Sequence, residues 1–153
     1  MTDINAAQVK QLREETGAGV MDARKALLDS DGDMEKAKDI LKAAGAEKVA
    51  KRARRETGQG LIETYVHAGG KVGAMVHLAC ETDFVAKTDE FKNLAREIAM
   101  QVAAMNPADV DELEKQDYIR EPGKTIKTLI DEVIAKTGEN VQVKKMVRYS
   151  LTD

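Results

Sequence analysis

The chain has 153 residues, enough for one ordinary domain or for a small helical module beside a compact core of roughly 90 to 100 residues. Apolar residues make up 42% and charged residues 33%, which excludes a disordered chain, and a net charge of -3 argues against gripping nucleic acid by general phosphate neutralisation. A single cysteine, Cys80, leaves no intrachain disulfide; no apolar run approaches the roughly 20 residues of a membrane span; and Met1-Thr2-Asp3-Ile4-Asn5 lacks an export signal, so a cytoplasmic protein without membrane contact is expected.

Residues 1–45 read as a module of three short helices. Val9 and Leu12 set a helical stripe that Gly17 and Gly19 stop. Val20, Met21, Ala23, Ala26 and Leu27 begin a second stripe, which runs to the turn Asp29-Ser30-Asp31-Gly32. Asp33 has the character of an N-cap for a third helix carrying Met34, Ala37, Ile40 and Leu41, with Gly45 expected as its C′ residue. The stripes are narrow and rich in alanine, so the helices should pack closely around a very small core.

Residues 46–58 turn basic, with Lys48, Lys51, Arg52, Arg54 and Arg55 separated by little except alanine and valine. This segment reads as a linker helix. It could touch RNA, but no aromatic residue is interleaved for base stacking, so a solvated connector is expected and direct nucleic-acid contact is not.

From residue 59 to 153 the pattern is that of an α+β core. Leu61–Ala68 and Lys71–Cys80 flank Gly69-Gly70, a pair that accepts positive φ and suits a tight hairpin with Tyr65 opposite Ala74. One face then carries Leu61, Tyr65, Val72, Ala74, Val76, Leu78 and Cys80, and the other Ile62, Val66 and Met75, so neither is simply left to water. Thr88 can cap a helix with the stripe Phe91, Leu94, Ala95, Ile98, Val102 and Met105, ended by Asn106-Pro107. A short acidic helix over Asp109 to Lys115 follows, then a helix bearing Ile126, Leu129, Ile130, Val133 and Ile134 and closed by Gly138. Val141, Val143, Val147 and Tyr149 alternate in a third strand. The expected fold is a three-stranded antiparallel sheet with helices on one face, preceded by the three-helix module.

Catalytic and metal arrangements are thin. His67, His77 and Cys80 lie in the hairpin, but Cys80 shares a strand face with Ala74, Val76 and Leu78 and reads as a small buried hydrophobe. Glu81, Asp83, Asp89 and Glu90 lack calcium-loop spacing, and there is no phosphate loop, paired-cysteine zinc pattern or nucleophile elbow. No cofactor, no metal and no active site of its own are expected.

Two places resist a purely structural reading. In the loop Glu81-Thr82-Asp83-Phe84-Val85-Ala86-Lys87, Phe84 is one of only two phenylalanines and lies outside every core stripe; it either plugs its own core or projects into a partner. In Thr16-Gly17-Ala18-Gly19-Val20-Met21, glycines bracket an alanine and two apolar residues open the next helix, as a bland helical turn or as a docking surface.

The stretch from Leu12 through Thr16-Gly17-Ala18-Gly19-Val20-Met21 to Leu27 resembles the N-terminal signature of the elongation factor Ts family, and Glu81-Thr82-Asp83-Phe84-Val85-Ala86-Lys87 resembles its second signature. Thr137-Gly138-Glu139-Asn140-Val141 is similar to the family's entry into its closing strand, so three motifs in family order cover nearly the whole chain. The resemblance implies a ubiquitin-associated-like N-terminal module, an α+β core and guanine-nucleotide exchange on elongation factor Tu. It assigns Thr82, Asp83, Phe84 and Val85 to disturbing the partner's magnesium site, and Leu12, Val20 and Met21 to an apolar pocket that docks a helix of the GTPase; Val20 stands where many relatives carry methionine. Longer members have a second core subdomain and a helical excursion that are missing here, and short members pair two chains, which together with the two apolar faces of the hairpin makes a homodimer expected. A generic interaction module and an RNA-binding protein using the basic segment are the rival readings.

Overall fold

The structure is a computed structural model that describes residues 4–152. Met1, Thr2 and Asp3, part of the stretch expected to lack an export signal, lie outside the described residues, as does Asp153. The chain divides into two compact units between Lys51 and Arg52.

The first unit holds helices α1 (Ala6–Thr16) and α2 (Val20–Asp29) and nearly all of α3 (Met34–Arg52). Asn5 and Gln8 form a capping box at the start of α1, and Gly17, at φ 71°, ends it by donating to Arg13 O at 2.8 Å. Asp33 Oδ1 accepts from the backbone N–H groups of Glu35 and Lys36, both at 3.1 Å, which caps α3. Leu12, Ala23, Ala26, Leu27 and Ala37 make the core, with Ile4, Val9, Met34, Ile40 and Leu41 packed against it.

The third helix does not stop at Gly45. It runs through that residue to Arg52, so the basic run opens as the last two turns of α3. A mid-helix glycine costs only about 1 kcal/mol relative to alanine, and the alanine, glutamate, lysine and arginine residues that follow are good helix formers. A glycine ends a helix only where the chain also turns there, and this one has no positive φ.

The second unit is α+β. Its sheet has the order β1 (Gln59–Val66), β2 (Val72–Cys80), β3 (Val141–Ser150), all antiparallel. Tyr65 faces Ala74 and Leu61 faces Leu78, the register expected of the Gly69-Gly70 turn, where φ is 91° and 70°. Gly60 permits a close approach: at φ 146°, a Cβ there would lie 2.1 Å from Leu78 O. Among the described residues the unit also holds helices α4 (Asp83–Ala86), α5 (Asp89–Met105), α6 (Val110–Lys115) and α7 (Ile126–Thr137). Helix α5 lies across β1 and β2 and buries Phe91, Leu94, Ala95, Ile98 and Val102, on the side of the sheet where Ala74, Val76, Leu78 and Cys80 are buried, while Met105, the expected end of the stripe, is exposed.

The third strand departs from strict alternation. A bulge lies between the pairs His77↔Lys145 and Leu78↔Val143, so Lys144 has no partner residue and the facing of the strand inverts. Val141 and Val143, opposite Cys80 and Leu78, are buried on the helix-covered face. Val147 and Tyr149, opposite Met75 and Gly73, lie on the other face, where Tyr149 is 76% exposed. Ile62, Val66 and Met75 are exposed on that same face, and Val66 and Met75 line a shallow apolar groove with Val72, Val147, Tyr149 and Leu151. Among the described residues, no helix is long and apolar enough to cross a membrane.

Candidate functional site

The segment expected to be a loop after β2 contains the single turn of α4. Thr82 is its N-cap, with Oγ1 accepting from Val85 N at 3.4 Å. Over so short a span each side chain takes a distinct direction. Val85 and Ala86 are buried beneath the turn, whereas Asp83 is exposed and Phe84 is 81% exposed. Of the two expected alternatives, Phe84 therefore projects. Asp83 pairs with Lys87 at 3.0 Å, and the hydrogen bond from that ammonium holds the Asp83 carboxyl below its ordinary range. Thr88 splices the turn to α5: its Oγ1 donates to Val85 O at 2.7 Å and accepts from Phe91 N at 3.3 Å.

A four-residue helix cannot hold itself in water, so its orientation depends on its base. That base is fixed from the far side of the sequence. Glu139 Oε1 accepts from the backbone N–H groups of Glu81 and Thr82 at 3.1 and 2.9 Å, and Glu139 Oε2 accepts from Thr82 Oγ1 at 2.6 Å. The exchange is reciprocal, since Glu81 Oε1 accepts from Asn140 N at 2.7 Å. Asn140, almost fully buried, donates from Nδ2 to Arg55 O at 2.8 Å. Gly138, at φ 75°, ends α7 and turns the chain so that Glu139 and Asn140 enter this junction.

Sequence reasoning singled out Thr82, Asp83, Phe84 and Val85 as candidates but not the residues that seat them. Glu139 and Asn140 stood in a recognisable motif, yet their contacts lie about sixty residues away. A buried amide and a carboxylate directly after a helix-ending glycine are the signal that could have exposed them.

The N-terminal candidates separate by burial. Val20 and Met21 open α2 with their side chains outward, Met21 70% exposed, beside a shallow pocket lined by Ile4, Val9, Arg13 and Arg24. Leu12 is fully buried in the three-helix core, so it presents no surface and instead supports the helices that carry the other two. Burial likewise makes Val85 a support for its own turn rather than a contact.

Much of the basic segment has partners within the chain. Lys48 pairs with Asp22 at 3.1 Å and Lys51 with Glu47 at 2.7 Å. Arg52 Nη1 donates to Ile134 O at 3.2 Å and Arg55 Nη1 to Gly138 O at 3.4 Å, placing two cations at the C-terminus of α7, where the helix dipole favours them. Cys80 is buried, as expected, and donates through Sγ to Thr82 O at 3.1 Å. Burial, followed by the nearby Glu139 charge, pushes its thiol up to about 11, the reverse of what a nucleophile needs. Among the described residues, no group of three or more His, Cys, Asp or Glu could hold a metal ion.

The family model described as Elongation factor TS matches residues 81–153, beginning at Glu81 in the α4 junction. The chain is 43% identical to elongation factor Ts of Thermoanaerobacter sp. (strain X514) over 191 aligned positions, which cover 95% of this chain and 94% of that relative. It is 40% identical to elongation factor Ts of Desulfosudis oleivorans over 99% of each chain, and 42% identical to that of Fervidobacterium nodosum over 97% and 98%. The chain belongs to the elongation factor Ts family. It is accordingly a translation elongation factor by family. The 191 aligned positions exceed the 153 residues of the chain, so the Thermoanaerobacter elongation factor Ts carries internal segments that this one lacks.

Proposed function

We propose that this chain is the guanine-nucleotide exchange factor for elongation factor Tu, acting in the cytoplasm by binding the GDP-bound GTPase and promoting GDP release without an active site of its own. The observation that carries this reading is Phe84: an aromatic side chain 81% exposed on a turn whose base is locked by hydrogen bonds, in a chain that buries its other phenylalanine completely. Exposing an aromatic forgoes roughly 1.5 to 3 kcal/mol of burial, which a partner's core would return.

In this reading Phe84 wedges into the GTPase and Asp83 brings its carboxylate toward the magnesium and phosphate site. Thr82 and Val85 hold the turn in place. Val20 and Met21 dock the three-helix unit, which we take as ubiquitin-associated-like, against a helix of the partner, with Leu12 beneath them. Accelerating release about 10⁴-fold requires lowering the barrier by roughly 5.4 kcal/mol. One phenylalanine supplies less than that, so the wedge, the disturbed magnesium and the docking contacts share the work. Linkage requires that GDP weaken this factor's binding by the same factor by which the factor weakens GDP binding.

The open sheet face supports pairing with a second copy, since Ile62, Val66, Met75 and Tyr149 form an apolar surface that the unit's own helices leave uncovered. Sedimentation should show a dimer that Met75→Glu converts to a monomer; a strict monomer at high micromolar concentration would remove the pairing. The exchange reading itself is tested by release of labelled GDP from elongation factor Tu. Catalytic amounts of this protein should accelerate it, and a rate equal to the spontaneous one would overturn the proposal.

A further inference from the structure

We infer that Glu139 is the positioning residue of the exchange turn: its carboxylate fixes the base of α4 and thereby the direction in which Phe84 projects. The inference rests on the exchange reading above. It begins with geometry, because Glu139 uses both oxygens on residues 57 and 58 positions earlier, three hydrogen bonds converging on the two residues that precede the helix.

The direction of each bond follows from chemistry. A carboxylate only accepts, so the single Thr82 hydroxyl hydrogen is committed to Glu139 Oε2 at 2.6 Å. The lone pairs of that hydroxyl are then left for Val85 N, the capping bond of α4. One carboxylate therefore sets the rotamer of the capping hydroxyl as well as the backbone ahead of it. Thr82 in turn fixes where Asp83 and Phe84 begin, and Val85 is buried against the sheet, so Phe84 is left pointing outward.

Buried Val85 and Ala86 and the Thr88 bond to Val85 O seat the body and far end of the turn, which leaves the backbone ahead of it to Glu139. The turn is four residues long, and the ion pair on its outer surface, Asp83 with Lys87, is solvent-exposed and worth little. Glu139 is itself held by its neighbours: Thr137 Oγ1 accepts from Glu139 N at 3.4 Å, Arg55 reaches Gly138 O, and Asn140 donates to both Glu81 and Arg55 O. The carboxylate thus transmits the position of the α7–β3 junction to the tip that meets the partner.

Glutamine is the discriminating replacement. In Glu139→Gln the amide oxygen can still accept from the backbone of Glu81 and Thr82, but the amide nitrogen cannot accept from Thr82 Oγ1. The contact with the hydroxyl survives only in reverse, the amide N–H donating to Thr82 Oγ1 and competing with Val85 N for its lone pairs, while the backbone stays held. Glu139→Ala removes all three bonds.

The test measures labelled GDP release from elongation factor Tu at saturating factor, with full-length Glu139→Ala and Glu139→Gln, each alone and combined with Phe84→Ala. Hydrogen exchange at the Thr82 and Val85 amides and thermal melts of the free proteins accompany it. Glu139→Ala should lower the saturating rate about 10-fold and Glu139→Gln by about half that on a logarithmic scale, with loss of amide protection confined to residues 81–85. In the Phe84→Ala background the further loss should shrink to a small remainder, because only Asp83 is then left to position. Equal losses in both backgrounds, or a slow Glu139→Gln whose amides remain as protected as in the parent, would overturn the inference. If Phe84→Ala slows exchange and neither Glu139 variant does, this inference fails while the exchange reading stands. If Phe84→Ala is itself without effect, the exchange reading fails and takes the inference with it.

Discussion

Phe84 and Phe91 stand seven residues apart on adjoining helices and meet opposite fates, one 81% exposed and the other fully buried. Helix α5 is seventeen residues long and is seated by area: Phe91, Leu94, Ala95, Ile98 and Val102 spread along a face that meets the sheet. Helix α4 is a single turn that buries only Val85 and Ala86 and is oriented by a few polar bonds to Glu139. Apolar area holds an element firmly and tolerates small rotations. Polar hooks contribute less energy but fix direction, and direction is what a projecting side chain requires.

The sharpest way to break this contrast is to truncate both phenylalanines. Phe91→Ala leaves a cavity under α5 and should cost on the order of 3 to 5 kcal/mol of folding stability. Phe84→Ala should leave the melting temperature nearly unchanged while slowing GDP release at saturating factor more than it weakens binding, the pattern of an interaction made at the transition state. Asp83→Ala should act in the same direction, and because the residues are adjacent the two effects should not add. Thermal melts paired with stopped-flow release decide it; a Phe84→Ala protein that melts as early as Phe91→Ala would make both residues core.

A polar hook also exists on α5 itself. Gln101 is fully buried, donates from Nε2 to Asp117 O at 3.0 Å and accepts at Oε1 from Ile119 N at 3.1 Å, tying the chain between α6 and α7 to the helix. Gln101→Leu strands these backbone groups and should cost about 1 to 3 kcal/mol. Amide protection should fall around residues 117–119 and stay intact at 82–85. Loss of protection in both places would mean that the hooks do not act locally.

Legibility in the sequence follows the same division. Features encoded by periodicity were readable: the stripe of α5, the hairpin register set by Gly69-Gly70, the capping of α3 by Asp33. Features encoded by distant polar contacts were not. The bulge at Lys144 sends Val147 and Tyr149 to the face opposite Val141 and Val143, although the four alternate in sequence, because one unpaired residue inverts every side chain beyond it. Gly45 looked like a helix end because glycine is common there, but its neighbours favour continuation. Phe84 could be singled out as anomalous from composition alone, while its outward direction depended on Glu139, which no local pattern connects to it.

A smaller effect is expected at the N-terminal surface, where Val20 and Met21 rest on a core of alanines and leucines without a polar hook. Such a surface offers contact area more than direction. Met21→Ser should weaken complex formation by roughly 1 to 2 kcal/mol and leave the saturating exchange rate recoverable at higher factor concentration. Titration of factor against release rate separates the two parameters. A lowered plateau with unchanged affinity would give this surface the role assigned to α4.

The smallest effect should be chemical and confined to the polar junction. The Cys80 thiol donates to Thr82 O, and burial together with the Glu139 charge pushes it up to about 11. Because the folded value is raised, the neutral thiol contributes stability that is fully present below about pH 9 and is lost as pH rises through about 11. Ionisation would withdraw the donor from Thr82 O and set a second negative charge beside Glu139, loosening the base of α4 and leaving the apolar seat of α5 untouched. Melting temperatures of the parent and Cys80→Ala, compared from pH 8 to 11, should therefore converge by a few degrees as the parent loses its advantage. Tyr118, raised to about 12 by burial and by its bond to Glu97, titrates higher, and a Tyr118→Phe background removes its contribution. A gap between parent and Cys80→Ala that stays constant from pH 8 to 11 would show that folding does not raise the thiol above its unfolded value.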